Sequence, residues 1–143
     1  MNLSNETVSV LKNFSTINQN LVIKSGNSIS TISAQKNIVA QATVKETFPQ
    51  DFAIYDLNEF LAALSLFEKP DLEFRDDFVV ITENGSTAKS LKYWYSDPSV
   101  VTTTSKEITM PECEVNFSFE NDLLSNVQKA AAVIGVPDMV LEG

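Results

Sequence analysis

Thr7, Val10, Leu11, Phe14 and Ile17 recur at helical spacing and share one side of a helix over residues 4–17, with Ser4 placed to cap it. Short alternating runs follow at 21–24, 28–33 and 38–44, with a Ser25-Gly26-Asn27 turn between the first two. In the third run Ile38, Ala40, Ala42 and Val44 occupy alternate positions. After Phe48-Pro49-Gln50, residues 51–55 make another short strand leading into 56–67. There Leu57, Phe60, Leu61, Leu64 and Phe67 form a second helical stripe behind an Asp56 cap. Pro70 closes that helix, and strands at 71–74, 78–82 and 88–95 follow, the last two joined through Asn84-Gly85. A shift of 50 residues lays the first stripe on the second. Each helix has a short extended piece before it and about three strands after it. Residues 1–96 therefore read as one α+β domain of two strand-helix-three-strand units.

Residues 97–111 have no strong period and read as a connector. A third copy of the pattern then begins. Val115, Phe117 and Phe119 alternate as a strand, Asn121 or Asp122 caps, and 122–134 is a helix with Leu124, Val127, Ala131 and Ile134 on one side. An offset of 117 carries Thr7, Val10, Phe14 and Ile17 onto those four residues, Lys12 onto Lys129 and Gly26 onto Gly143. Residues 112–143 thus read as the opening strand, helix and strand of a second domain. A piece of that size does not bury its own faces, so the expectation is that the rest of that domain is absent from this chain.

Composition narrows the chemistry. Of 143 residues 43% are apolar, none is histidine, and Cys113 is the lone cysteine. That excludes a His/Cys zinc site, a Ser-His-Asp or Cys-His catalytic set and an intramolecular disulfide. No apolar run of about 18 residues or cationic leader marks a membrane span or signal peptide, so the chain reads as a soluble intracellular protein without a membrane partner. The net charge of −9, taken alone, argues against a nucleic-acid ligand.

Particular residues change that reading. Leu3-Ser4, Leu11-Lys12-Asn13-Phe14, Thr16-Ile17-Asn18, Lys24-Ser25-Gly26 and Ala53-Ile54-Tyr55-Asp56-Leu57-Asn58, with Phe60-Leu61 and Leu64-Ser65-Leu66, keep their spacing over residues 1–67. In these the chain resembles the N-terminal half of the DNA polymerase sliding clamp of T-even-type bacteriophages, and Asp97-Pro98-Ser99 fits again before the connector. The resemblance implies a sliding-clamp (processivity) fold and a processivity factor rather than an enzyme. Such a factor is a ring that encircles duplex DNA without reading its sequence, is loaded by a clamp loader ATPase, and holds the replicative polymerase on its template during phage DNA replication. It further implies self-association into a homotrimer of two-domain protomers, with helices lining the hole and sheets outside. Work in the cytoplasm of the host cell follows, with no catalytic residue, metal or cofactor required.

On that resemblance the polar side of the first helix, Asn5, Ser9, Lys12, Asn13 and Thr16, faces DNA. Lys129 does so from the second domain, and Lys24 and Lys45 are further candidates. One lysine among small polar groups makes the loose phosphate contact that sliding requires. The plainer reading is that Lys12 and Lys129 are ordinary solvated helix lysines. The second helix offers Asn58, Glu59, Ala62 and Ser65, with no cation. Partner peptides of polymerase and loader would dock by the connector, on Trp94, Val100, Val101, Ile108 and Met110. For Trp94, packing against its own sheet is the competing role. Asp71, Glu73, Asp76 and Asp77 read as turn carboxylates rather than a metal or acid/base set. The rival to the whole scheme is a free-standing α+β module that binds a protein or peptide and has no DNA role.

Overall fold

The computed structural model describes residues 1–84, 86–102 and 111–142. The chain divides into two units, Met1–Glu107 and Ile108–Gly143. In the first, α1 (Asn5–Ile17) is followed by β1 (Leu21–Ile23), β2 (Gly26–Ile32), β3 (Val39–Phe48) and β4 (Phe52–Ile54). The pattern then repeats as α2 (Leu57–Ser65), β5 (Pro70–Phe74), β6 (Phe78–Glu83) and β7 (Ser86–Trp94). The second unit holds α3 (Asn121–Ile134).

Both helices of the first unit start where a side chain accepts their orphan amides. Ser4 Oγ takes the N–H of Thr7 at 3.2 Å. Asp56 Oδ1 takes those of Asn58 at 2.9 Å and Glu59 at 3.2 Å. Asp56→Ala should lower stability by about 1 kcal/mol, and Asp56→Asn should keep most of it, because an amide oxygen still caps. Urea unfolding followed by fluorescence of Trp94, the single tryptophan, checks this. Equal losses in the two variants would refute the cap.

Helix α1 leaves through asparagines whose side chains replace backbone partners. The Asn18 amide donates to Ile32 O at 2.7 Å, and the Asn20 amide donates to Tyr55 O at 2.6 Å. Helix α2 ends at Ser65, two residues short of the stripe that predicts it. Leu66 and Phe67 donate three residues back, to Ala63 O and Leu64 O, a tightened last turn ahead of Pro70. Phe67 remains buried beyond the helix.

The sheets carry the repeat further than periodicity could. Strand β4, which precedes α2, pairs antiparallel with β1, the first strand after α1, in register Leu21↔Ile54. Asn2, which precedes α1, bridges antiparallel to Asp71 in β5, the first strand after α2. Within this first unit, each helix-and-strand repeat's leading segment thus pairs with the other repeat's first strand, and neither repeat closes without the other. The remaining ladders are the local antiparallel ones, β2 with β3 and β5-β6-β7. The helices pack side by side, α1 over β2 and β3 and α2 over β7. Leu11, Phe14, Leu21, Ile23, Ile54, Leu57, Phe60, Leu64, Val79 and Ile81 sit in one continuous core between the layers.

The second unit departs from expectation. Its helix is present, but Val115, Phe117 and Phe119 lie on exposed chain outside any strand, and no strand follows α3 among the described residues. A strand exists only where its amides find a ladder partner, and neither flank of α3 finds one among the described residues. The start of α3 also differs. Glu120 is the N-cap, with no side-chain cap bond, and the anticipated caps Asn121 and Asp122 are its first helical residues. Gly135 ends the helix at φ +71°, a left-handed position that glycine takes without a Cβ clash. Gly85 and Gly143, which enter the turn and repeat arguments, fall outside the described residues.

Candidate nucleic-acid interface

The outward side of α1 follows from its buried side. With Thr7, Leu11 and Phe14 turned to the core, Asn5, Ser9, Lys12, Asn13 and Thr16 are all exposed. The Thr16 hydroxyl donates to Asn13 O at 2.7 Å, so its proton is used inside the helix and it presents acceptor lone pairs. On α2 the exposed residues are Asn58, Glu59, Ala62 and Ser65, and the Ser65 hydroxyl is likewise turned back, to Ala62 O at 2.7 Å.

Ion pairing sorts the cations of the first unit. Lys45 meets Glu6 at 2.8 Å, and the hydrogen bond and charge of that carboxylate raise its pKa above 10.5. It is therefore spoken for. Arg75 pairs with Glu73, Lys89 donates to Leu66 O and lies over Phe67, and Lys92 lies over Phe78. Among the described residues Lys12, Lys24, Lys36 and Lys69 make no ion pair. In the second unit Lys129 is exposed on α3, and it is the sole cation of residues 111–142, against Glu112, Glu114, Glu120, Asp122, Asp138 and Glu142.

Of the apolar residues by the connector, the described ones are Trp94, Val100 and Val101, and they differ in exposure. Trp94 is 63% exposed and packs against Phe78, the rings tilted by 56° with centroids 4.9 Å apart. A cleft of about 370 Å³ beside it is lined by Tyr55, Glu59, Lys92, Tyr93, Tyr95 and Ser96, not by the connector valines. Tyr93 donates to Asp56 O at 3.3 Å, and burial, with Glu59 and Asp56 nearby, pushes it up to about 12. A turn at Pro98–Val100, capped by Asp97 accepting the Ser99 N–H at 2.8 Å, leaves Val100 59% exposed and Val101 only 6%. Val101 is therefore inaccessible to a docking peptide in this structure. Ile108 and Met110 lie outside the described residues.

Glu46 is a functional-looking residue that the periodicity does not single out. It extends the inward row Ala40, Ala42, Val44 of β3, where a charge needs a partner. Its carboxylate accepts from the Ser4 amide and the Thr7 hydroxyl at the start of α1. Burial raises its pKa, but the bonds from Thr7 and Ser4 outweigh that and hold it below the ordinary value. It stands one alternate position beyond Val44, so its signal in the sequence is the continuation of that row.

Comparison with known proteins matches the descriptive model of DNA polymerase processivity factors to residues 4–103. The sliding clamp of Vibrio phage KVP40 is 36% identical over 142 residues, covering 97% of this chain and 63% of its own length. That of Enterobacteria phage T4 is 37% identical over 116 residues, covering 78% and 48%, and that of Escherichia phage RB69 is 34% identical over 119, covering 80% and 50%. The chain spans about half to under two thirds of the length of these curated relatives. With the family match running from the α1 cap through β7, the chain belongs to the DNA polymerase processivity factor family.

Proposed function

We propose that this chain is part of a sliding clamp that encircles duplex DNA and tethers a replicative polymerase. The observation that carries the reading is the placement of charge. In a protein of net charge −9, the exposed side of α1 offers Lys12 among amides and hydroxyls, and its one carboxylate, Glu6, is held by Lys45. A sleeve that slides needs weak, sequence-independent phosphate contacts inside and an acidic exterior that does not cling to DNA. Ser9, Asn13 and Thr16 complete that lining, and Lys129 takes on its helix the part of Lys12. Protomers join into a trimeric ring through strand edges. Strands β3 and β7 each leave an edge unpaired among the described residues. Residues 97–111 are the connector and 112–143 open the second clamp domain, with polymerase and an ATP-driven loader docking where Trp94 and Val100 offer exposed apolar surface. Retention comes from topology, so the role asks for no catalytic group and places the protein in the host cytoplasm.

The test is topological. Protein carrying this chain, given loader and ATP, should stay on nicked circular DNA and run off when the circle is cut. Lys12→Glu should lower the salt dependence of DNA association by about one unit of slope for each phosphate it ceases to neutralise. Equal retention on circular and linear DNA would overturn the proposal.

A further inference from the structure

We infer that Lys69 is a second phosphate contact, acting with Lys12 across a cleft between α1 and the α2–β5 turn that tracks the backbone of duplex DNA. This rests on the clamp reading and supplies the cation that α2 itself lacks. Lys12 and Lys69 line the same open cleft of about 350 Å³, with Asn2 and Asn5 as further polar groups and Leu61 and Leu64 among its apolar walls. Both are among the cations of this unit that make no ion pair with described residues, whereas Lys45, Arg75, Lys89 and Lys92 are engaged elsewhere.

The Lys69 backbone is held in place. Glu83 accepts the N–H of Glu68 at 3.0 Å and of Lys69 at 2.8 Å, and Lys69 O accepts from Asn84 N–H at 2.9 Å. Lys12 is held equally well, on the helical turn beside fully buried Leu11. Two ammonium groups on fixed roots, flanking one cleft, fit successive anionic oxygens of a phosphodiester chain at little ordering cost. Glu68 lines the same cleft. Its carboxylate offsets part of the positive charge and keeps the contact weak enough for sliding.

The test is a titration of the 143-residue chain with a short linear duplex at low salt, followed by amide chemical shifts. Shifts should concentrate at Leu3, Asn5, Ser65 and Lys69. Lys69→Glu and Lys12→Glu should each weaken binding by about three- to tenfold and flatten the salt dependence by about one unit of slope. Glu68→Gln should tighten it, and Lys36→Glu, at the β2–β3 turn, should leave it unchanged. Lys69→Glu behaving like Lys36→Glu, Glu68→Gln failing to tighten, or shifts gathering on the sheets would each overturn the assignment. The same shifts from inorganic phosphate at matched ionic strength would also overturn it, by assigning the cleft to a lone phosphate group. Cleft binding without retention on circular DNA would sink the clamp reading and leave the cleft standing. Retention that ignores Lys69 would do the reverse.

Discussion

Phe60→Ala should cost the first unit about 3–5 kcal/mol, the loss of a large core side chain plus the cavity it leaves. Phe60 is 1% exposed at the centre of α2, its ring 5.1 Å from that of Tyr93 and nearly edge-on. Tyr93 in turn donates to the Asp56 carbonyl at the start of the same helix. Removing the ring therefore opens the core and loosens the attachment of α2 to β7 together. Small domains are stable by about 5–15 kcal/mol, so this loss is a large share of the margin. With a urea slope of about 1–3 kcal/mol/M, the midpoint read by Trp94 fluorescence should drop by roughly 2 M. Glu59→Gln, one residue away on the solvent side, should stay within about 0.5 kcal/mol. A midpoint for Phe60→Ala within measurement error of the parent would mean that the α2–β7 packing does not hold this unit together.

The same packing shows how much of the fold is legible in the sequence. The stripes in α1 and α2 and the longer strands of the first unit are visible as periodicity, because each packs on one side, whereas β4, buried at all three positions, shows only as a short apolar run. Invisible are the pairings of β4 with β1 and of Asn2 with Asp71, which join residues far apart in sequence and leave no local signal. The early stop of α2 is hidden because Phe67 keeps the helical spacing while its backbone has already tightened. The alternation of Val115, Phe117 and Phe119 looks like a strand because alternation marks a residue's fitness to pair, not the presence of a partner.

Of the candidate interface, the exposed face of α1 is readable, since fixing the buried side of a helix fixes the other. Which lysines are engaged is not. Lys45 and Lys12 look alike in sequence, and only the fold brings Glu6 to one and leaves the other unpaired among the described residues. Lys69 gives no sequence signal because it follows a helix instead of lying on one, and its cleft is shared by segments far apart in sequence, residues 2–12 and 61–70.

Glu46→Ala should be the most costly polar substitution, at about 2–3 kcal/mol near neutral pH. It removes an acceptor from the Ser4 amide and from the hydroxyl of Thr7, which is 1% exposed, and it takes a negative charge from the start of α1. Glu46→Gln should lose less, since its amide oxygen still accepts one of the two bonds. The pH dependence separates this from simple packing loss. Because the folded pKa lies below the ordinary 4.5, the unfolded chain binds the proton first as acid is added. The contribution is therefore fully present above about pH 4.5 and is lost as pH falls through the folded value. Unfolding free energies of parent and Glu46→Gln should differ most near neutral pH and converge once the carboxylate is protonated in both states. A gap that stays constant across that range would show that the carboxylate's charge does nothing for α1 and that the loss is one of packing or neutral hydrogen bonding.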